Sequence, residues 1–431
     1  MSAELPPGPS APMPIQAAEY IRRPLEVIER CRERYGEPFT LRVARGAPFV
    51  LFSDPDDIKR VFTGSPDVLR SGEANAVFEA GLGPRSLIVL DGAEHMRDRK
   101  LILPPFHGER MRGYGELIDS IAEREIATWP AGEPFAVAEG TRRIALEVIL
   151  RAVFGVDEEE RVRGTVGLMT RFLDAATPPA RALTVLLVKP GGPFIRSYNR
   201  LSPTKKRVDE VIFDQIRRRR EDPGIESRED VLSLLVRARF EDGGAMSDDH
   251  LRDELMTLLT AGHETTANTT AWALAELARM PEAVERLAGD DDYLDAFVKE
   301  TLRLWPIVPF VLRHTSEPFE LNGWGVPAGV RLAPSVHLVH RRPEIYPRPD
   351  EFRPERVLER PAGTSTWIPF GGGTRRCVGA AFATFEMKRV LRAVARMGRP
   401  EPAGDGSGRV GRRGLTLAPA DGARLVWRPA G

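Results

Sequence analysis

Trp367-Ile368-Pro369-Phe370-Gly371-Gly372-Gly373-Thr374-Arg375-Arg376-Cys377-Val378-Gly379 sets a single cysteine at the end of a glycine-rich loop, and a helix-like apolar pattern, Ala380 to Met397, follows at once. Glycines let a backbone take φ > 0 and approach a ligand closely. The start of the following helix stabilises negative charge on the sulfur through its partial positive charge. A free thiol, with pKa about 8.5, is mostly protonated at neutral pH, whereas binding to a metal removes that proton. The expected species is a coordinated thiolate held over something flat.

The pattern is specific. Scoring only Phe370, Gly373, Cys377 and Gly379 at this spacing, with 19 Phe, 39 Gly and 2 Cys in 431 residues, chance gives roughly one match in a thousand such chains. An inert buried cysteine, the commoner fate of an isolated thiol, leaves that pattern unexplained. The segment resembles the haem-ligand loop of the cytochrome P-450 family. The resemblance implies Cys377 as axial iron ligand, Phe370 over the sulfur and Arg375 facing a haem propionate, with Gly373 and Gly379 shaping the loop.

Composition sets wide bounds. At 431 residues with 42% hydrophobic residues the chain can bury a large core. Its 62 basic and 62 acidic side chains cancel, which argues against nucleic acid or an anionic membrane as main partner. Two isolated cysteines, Cys31 and Cys377, are too few for a disulfide framework or a zinc cluster, so a reducing cytoplasm is the expected compartment. Residues 1–16, rich in Pro, lack the apolar run of a signal peptide or membrane anchor. They are expected to be an extended, solvated tail before one domain over 17–431.

Farther along, Pro38–Val43 and Ala47–Phe52 read as β-rich runs, and Asp54-Pro55 starts a short helix. Gly72–Ser86, which holds a partial GxGxxG at Gly81 and Gly83, reads as a loop. His95 and Arg99 stand four apart and so share one helix face. A solvated charged turn would explain them in isolation. Beside the Cys377 loop they resemble the family's His-x-x-x-Arg helix, whose donors bind haem propionates. Residues 182–188 are apolar but too short to span a bilayer, and a packed core helix fits their pattern as well as the family's substrate-access lid does.

Ser247 can cap a helix that runs uninterrupted to Met280, where Pro281 marks its stop. In its middle lies Ala261-Gly262-His263-Glu264-Thr265-Thr266. Leu258, Ala261, Gly262, Thr265 and Thr269 fall along one small-residue stripe, which leaves room for a flat cofactor and a substrate. Close helix packing explains the small residues, but not a carboxylate beside a hydroxyl in mid-helix, which is expensive in a core. The stretch matches the family's oxygen-activation motif, with Glu264 its acid and Thr265 its alcohol; His263 fills the variable position.

Glu300-Thr301-Leu302-Arg303 matches the family's Glu-x-x-Arg, but several other segments share that spacing. Context selects this copy, because Trp305-Pro306 stops the helix and Phe352-Arg353-Pro354-Glu355-Arg356 follows downstream. Glu300, Arg303 and Arg356 are expected to form a buried, mutually paired triad. Arg313 matches a third propionate donor, with a plain surface charge as the alternative. Gly414–Leu417 and Ala423–Trp427 look like a final hairpin.

The resemblance therefore implies a mainly α fold with small β-sheets, haem b as cofactor, and insertion of one oxygen atom from O2 into an apolar small molecule, by hydroxylation or epoxidation. Leu258, Ala261, Val308, Phe310, Val311 and Leu415 suggest an apolar pocket, compatible with fatty acids, terpenoids, steroids or polyketides. No electron-transfer module remains once the motifs are placed, so a separate ferredoxin and ferredoxin reductase are expected, with NAD(P)H as ultimate donor. Basic positions Arg99, Lys100, Arg375, Arg376 and Lys388 suggest an acidic partner on the cysteine side. A peroxide-using or isomerising haem-thiolate enzyme, or a non-catalytic haem sensor, would have less use for the acid and alcohol.

Overall fold

The computed structural model describes residues 4–108, 110–175, 202–404, 408–414 and 416–430, with single positions 178, 183, 186 and 187 between them. Most of the proposed lid stretch 182–188, and Leu415, lie outside the described residues.

The helix Asp248–Arg279 sets the architecture. Its N-cap Ser247 accepts from the His250 amide at 3.2 Å, which satisfies one of the four free N–H groups of the first turn. Two acids, Asp248 and Asp249, occupy that turn and suit the helix dipole. Thirty-two residues at 1.5 Å each give about 48 Å. Leu251, Leu255 and Leu259 near one end and Ala271, Leu274 and Leu277 near the other are buried, while Thr260 and Ala261 between them are exposed. A helix buried at both ends and open in the middle borders an internal space.

Around it pack the helices Val137–Val148, Pro203–Arg220, Asp291–Leu304 and Ala380–Met397. Gly262 lets the helix pack close against Ile149, since a Cβ there would lie 3.1 Å from the Ile149 Cδ1. Near its C-terminal end Trp272 stacks on Trp305, with ring centroids 3.9 Å apart and planes within 2°. Trp305 Nε1 donates to Glu276 at 2.9 Å, so the stacked pair also finds its polar partner.

The Glu300 triad forms as expected. Arg303 donates to both oxygens of Glu300 at 2.8 Å, and Arg356 Nε reaches Glu300 Oε1 at 2.8 Å. The surplus guanidinium donors go to the carbonyls of His340, Pro349 and Glu351 from Arg303, and of Pro347, Arg348 and Glu351 from Arg356. Every charge is thereby paired, as burial demands.

The sheets are small. A five-stranded sheet runs in the order Phe39–Leu41, Phe49–Phe52, Arg331–Pro334, Arg313–Thr315, Leu69–Arg70. Only the second and third of these are parallel. Asn322 and Gly323, both at positive φ, turn the hairpin of Phe319–Leu321 and Trp324–Val326.

Four expectations need correction. The N-terminal segment is pinned rather than free: Thr40 donates to the Pro7 carbonyl at 2.8 Å and to Pro6 at 2.7 Å, and a helix begins at Met13. Gly72–Ser86 is largely short helical turns, Ser71–Ala74, Ala76–Phe78 and Glu79–Leu82, too brief to show a period. At the C-terminus the hairpin is Val410–Arg413 with Thr416–Pro419, while Arg424–Pro429 pairs with Gly398–Pro402 and Pro134–Ala136. Phe310 is 9% exposed and packs on Tyr20 and Phe49, so its ring joins the core behind the five-stranded sheet instead of a substrate wall.

Candidate active site

The cysteine loop is shaped by its own backbone. Gly371 donates to the Ile368 carbonyl at 3.0 Å and Cys377 to the Phe370 carbonyl at 3.0 Å, closing the loop on itself. Gly373 has φ +65, and a Cβ there would fall 2.0 Å from the Phe62 carbonyl oxygen. Glycine is required on both counts. At Gly379 an added Cβ would sit 4.0 Å from the Cys377 sulfur, an ordinary contact distance, which places this residue directly beside the sulfur.

Cys377 is exposed, yet its thiol lies deep among protein atoms. These facts agree if the sulfur faces an internal cleft. Burial pushes the thiol pKa up, opposed by the Gly379 and Ala380 amides and the charges of Arg99 and Arg376. The groups needed to hold a thiolate are present, but burial outweighs them. A coordinated cation would tip that balance.

Next to the loop stand a buried histidine and two buried arginines, with a third arginine beside them. His95, on the helix Gly92–Ile102, is pushed down to about 3, first by burial and then by Arg375, Arg99 and Arg313. Arg313 and Arg375 are each lowered to about 10, again chiefly by burial. Arg313 spends its donors on the Leu312 carbonyl at 2.9 Å, the Gly372 carbonyl at 3.2 Å and Ser71 Oγ at 3.3 Å, none of them charged. Arg375 meets one carboxylate, Asp91, at 2.5 Å, and the Leu87 and Leu90 carbonyls. Arg99 donates to the Arg376 carbonyl at 2.6 Å. Three guanidiniums, of which only Arg375 is paired with a carboxylate among the described residues, together with a neutral imidazole make a receptor for a multiply anionic group. A haem carrying two propionates fits this donor set.

On the crossing helix, the Thr265 hydroxyl donates to the Ala261 carbonyl at 2.5 Å. Its proton is committed inward, so outward it offers an acceptor. Glu264 points elsewhere: Arg413 Nε donates to its Oε1 at 2.8 Å, and Arg413 also binds Asp174 at the end of the helix Glu159–Asp174. Burial raises the Glu264 pKa while Arg413, and more weakly Arg142, lower it. No hydrogen bond joins Glu264 to Thr265 among the described residues. His263 is held by the Arg142 carbonyl at 3.1 Å and pushed down to about 4 by burial, a packing role.

Of the proposed apolar wall, Leu258 is half-buried, Ala261 exposed and Val308 41% exposed. Val311 lies 3.5 Å from where a Gly371 Cβ would be, which places it against the cysteine loop. The suggested basic docking face is thinner than its sequence implies. Lys100 is paired with Glu241 and Lys388 with Asp295, while Arg375 is turned to Asp91.

Arg413 and Asp91 went unrecognised in the sequence. Asp91 precedes the His95 helix and carried a local hint, since an acid suits a helix start. Arg413 is one arginine in a basic terminal stretch, and nothing local couples it to a residue on the crossing helix.

Comparison with known proteins agrees with this geometry. The chain belongs to the cytochrome P-450 family, whose model matches residues 6–397. A protein of Mycobacterium tuberculosis provisionally named cytochrome P-450 135B1 is 41% identical over 406 residues, covering 92% of this chain and 85% of the relative. Another from that organism, provisionally named cytochrome P-450 137, is 36% identical over 437 residues, covering 99% and 91%. Cyanobacterial CYP120A1 bound to retinoic acid superposes with a TM-score of 0.85 at 20% identity over 100% of both chains, a likeness of fold. Cytochromes P-450 are monooxygenases that hold haem through a cysteine thiolate and use O2 and redox partners, and this chain is an oxidoreductase of that class. Among the described residues no helix is long and apolar enough to cross a membrane.

Proposed function

We propose that the protein binds haem b through Cys377 and inserts one atom of O2 into a C–H or C=C bond of an apolar small molecule, with electrons from a separate ferredoxin and its reductase in the cytoplasm. The observation that carries this reading is the meeting of a deep sulfur, flanked by two amides and two arginines, with the buried arginines Arg313 and Arg375, which have one paired carboxylate, Asp91, between them. His95, Arg99, Arg313 and Arg375 hold the propionates, and Phe370, Gly373 and Gly379 shape the loop around the sulfur.

The haem supplies oxygen binding and cleavage, favoured by electron donation from the thiolate. The chain supplies position and protons. Thr265 Oγ1, its own proton held by Ala261, is free to accept a hydrogen bond from a water and so to hold a proton donor in the internal space. Glu264, with its pKa raised by burial, takes up and releases a proton nearer neutrality than an exposed carboxylate. Arg413 positions it. An acid so tuned supports oxygen activation over passive haem sensing. Leu258, Ala261, Val308 and Val311 border the substrate, of fatty acid, terpenoid, steroid or polyketide type.

The test is the ferrous-CO spectrum of the holoprotein. Wild type is expected to show the red-shifted Soret band of a thiolate haem, and Cys377→Ser to lose it. An unchanged band in the variant refutes the ligand assignment. Screening apolar ligands for a spin-state shift then narrows the substrate class.

A further inference from the structure

In its first turns, before it reaches the internal space, the crossing helix carries a second group of coordinating side chains. His250 and Glu254 stand four apart and share a face, and Asp98 meets them from the helix Gly92–Ile102. Asp98 and Glu254 are 0% exposed and His250 3%. One donor atom from each lies within 4.8 Å of the others. We propose that Asp98, His250 and Glu254 form a buried binding site for a divalent transition-metal ion, separate from the haem.

Glu254 is the decisive side chain. Neither of its oxygens has a hydrogen bond of acceptable geometry. The Leu87 amide turns toward it and only partly offsets burial, which together with Asp98 and Asp253 raises its pKa well above the usual carboxylate range. A buried carboxylate without partners is costly. Its neighbours do not relieve it: His250 Nε2 and Asp98 Oδ2 approach to 2.9 Å, yet neither atom is aligned for a hydrogen bond. The three donors lie close enough together to be bridged by one cation.

Charge and bond lengths agree with a cation at that point. Arg97 Nε meets the other Asp98 oxygen at 3.1 Å from the outer side, leaving Oδ2 to face inward. The adjacent acid Asp253 is already held by Arg252 and the Arg85 amide. A nitrogen and two carboxylates suit a borderline divalent ion, and metal–ligand bonds of about 2.0–2.2 Å set donors about 3–3.5 Å apart. The His250–Asp98 separation is already close to that range. Both Glu254 oxygens are unpartnered, so chelation by them completes four-fold coordination without water.

The competing explanation is a protonated Glu254 sharing its proton with Asp98, and the experiment separates the two. The full-length chain is expressed with haem in medium supplemented with Zn2+, so that metal enters before the site closes, then passed over chelating resin. Zinc is measured against haem iron. Wild type is expected to retain about one zinc per chain, and Glu254→Gln and His250→Gln less than about a tenth of that, with haem content and the ferrous-CO band unchanged. Because a variant could fail to fold, wild type is also unfolded thermally after expression with Zn2+ and after expression in metal-depleted medium. A higher midpoint with zinc supports the site. Wild type without zinc above the variant level, or equal midpoints in the two preparations, overturns it in favour of the shared proton.

Discussion

Glu386 lies on the helix Ala380–Met397 that leads away from the cysteine, 3% exposed, and burial alone pushes its pKa from 4.5 up to about 8. Between those values the folded chain holds a proton that the unfolded chain has released, so stability falls as pH rises. The contribution is fully present below pH 4.5 and is lost progressively up to about 8. Each pH unit is worth about 1.4 kcal/mol, and allowing for the curvature at both ends the loss from pH 5 to pH 8 is about 3–4 kcal/mol. Glu386→Gln keeps the shape and removes the titration. Urea unfolding followed by far-UV circular dichroism at several pH values should show the variant gaining on wild type by this amount between pH 5 and 8. Parallel curves for the two proteins would mean that Glu386 has no such shift, and that a counter-charge or water relieves it.

Thr265→Ala should still fold and bind haem, yet yield less product and more peroxide per NAD(P)H consumed with a substrate known to bind; unchanged coupling would show that oxygen-bound protons are held by another group. Arg413→Gln removes the charge that lowers the Glu264 pKa, so the acid limb of the pH–turnover profile should move to higher pH, with Arg413→Lys restoring much of it. An unmoved limb would remove Arg413 from any part in proton supply.

How much of this could be read from the chain depends on how far apart the interacting residues lie. The cysteine loop and the crossing helix announce themselves locally, through glycines, the Ser247 cap and the Pro281 stop, because turn geometry and helix ends are decided within a few residues. Glu300 and Arg303 were legible only because the proline-bounded segments around them narrowed the choice. Phe310 was misplaced in the pocket: an aromatic in an apolar run serves a core or a pocket equally well, and the sheet behind which it packs is assembled from five strands spread over the chain. Arg413 finds Glu264 across 149 residues, and Asp98 meets His250 only once two helices have docked. Charge pairs of this sort leave no periodic trace. The final strands misled for the same reason, since Arg424–Pro429 chooses distant partners over the adjacent hairpin.

The clasp of Glu300, Arg303 and Arg356 bears on how such a chain can diverge. Removing one member strands a buried charge, a loss of about 3–5 kcal/mol, and the carbonyls that receive the remaining guanidinium donors lose their partners too. A lysine cannot replace Arg303, because three donors on a flexible stem cannot serve a carboxylate and three carbonyls at once. The half-buried residues beside the internal space, Leu258 and Val311 among them, stand under no such constraint, and exchanging one apolar side chain for another there costs little. Tolerance to change is thus divided within one domain: brittle where it is clasped, permissive where a ligand would touch it. A lineage can then acquire a new substrate without renegotiating its scaffold.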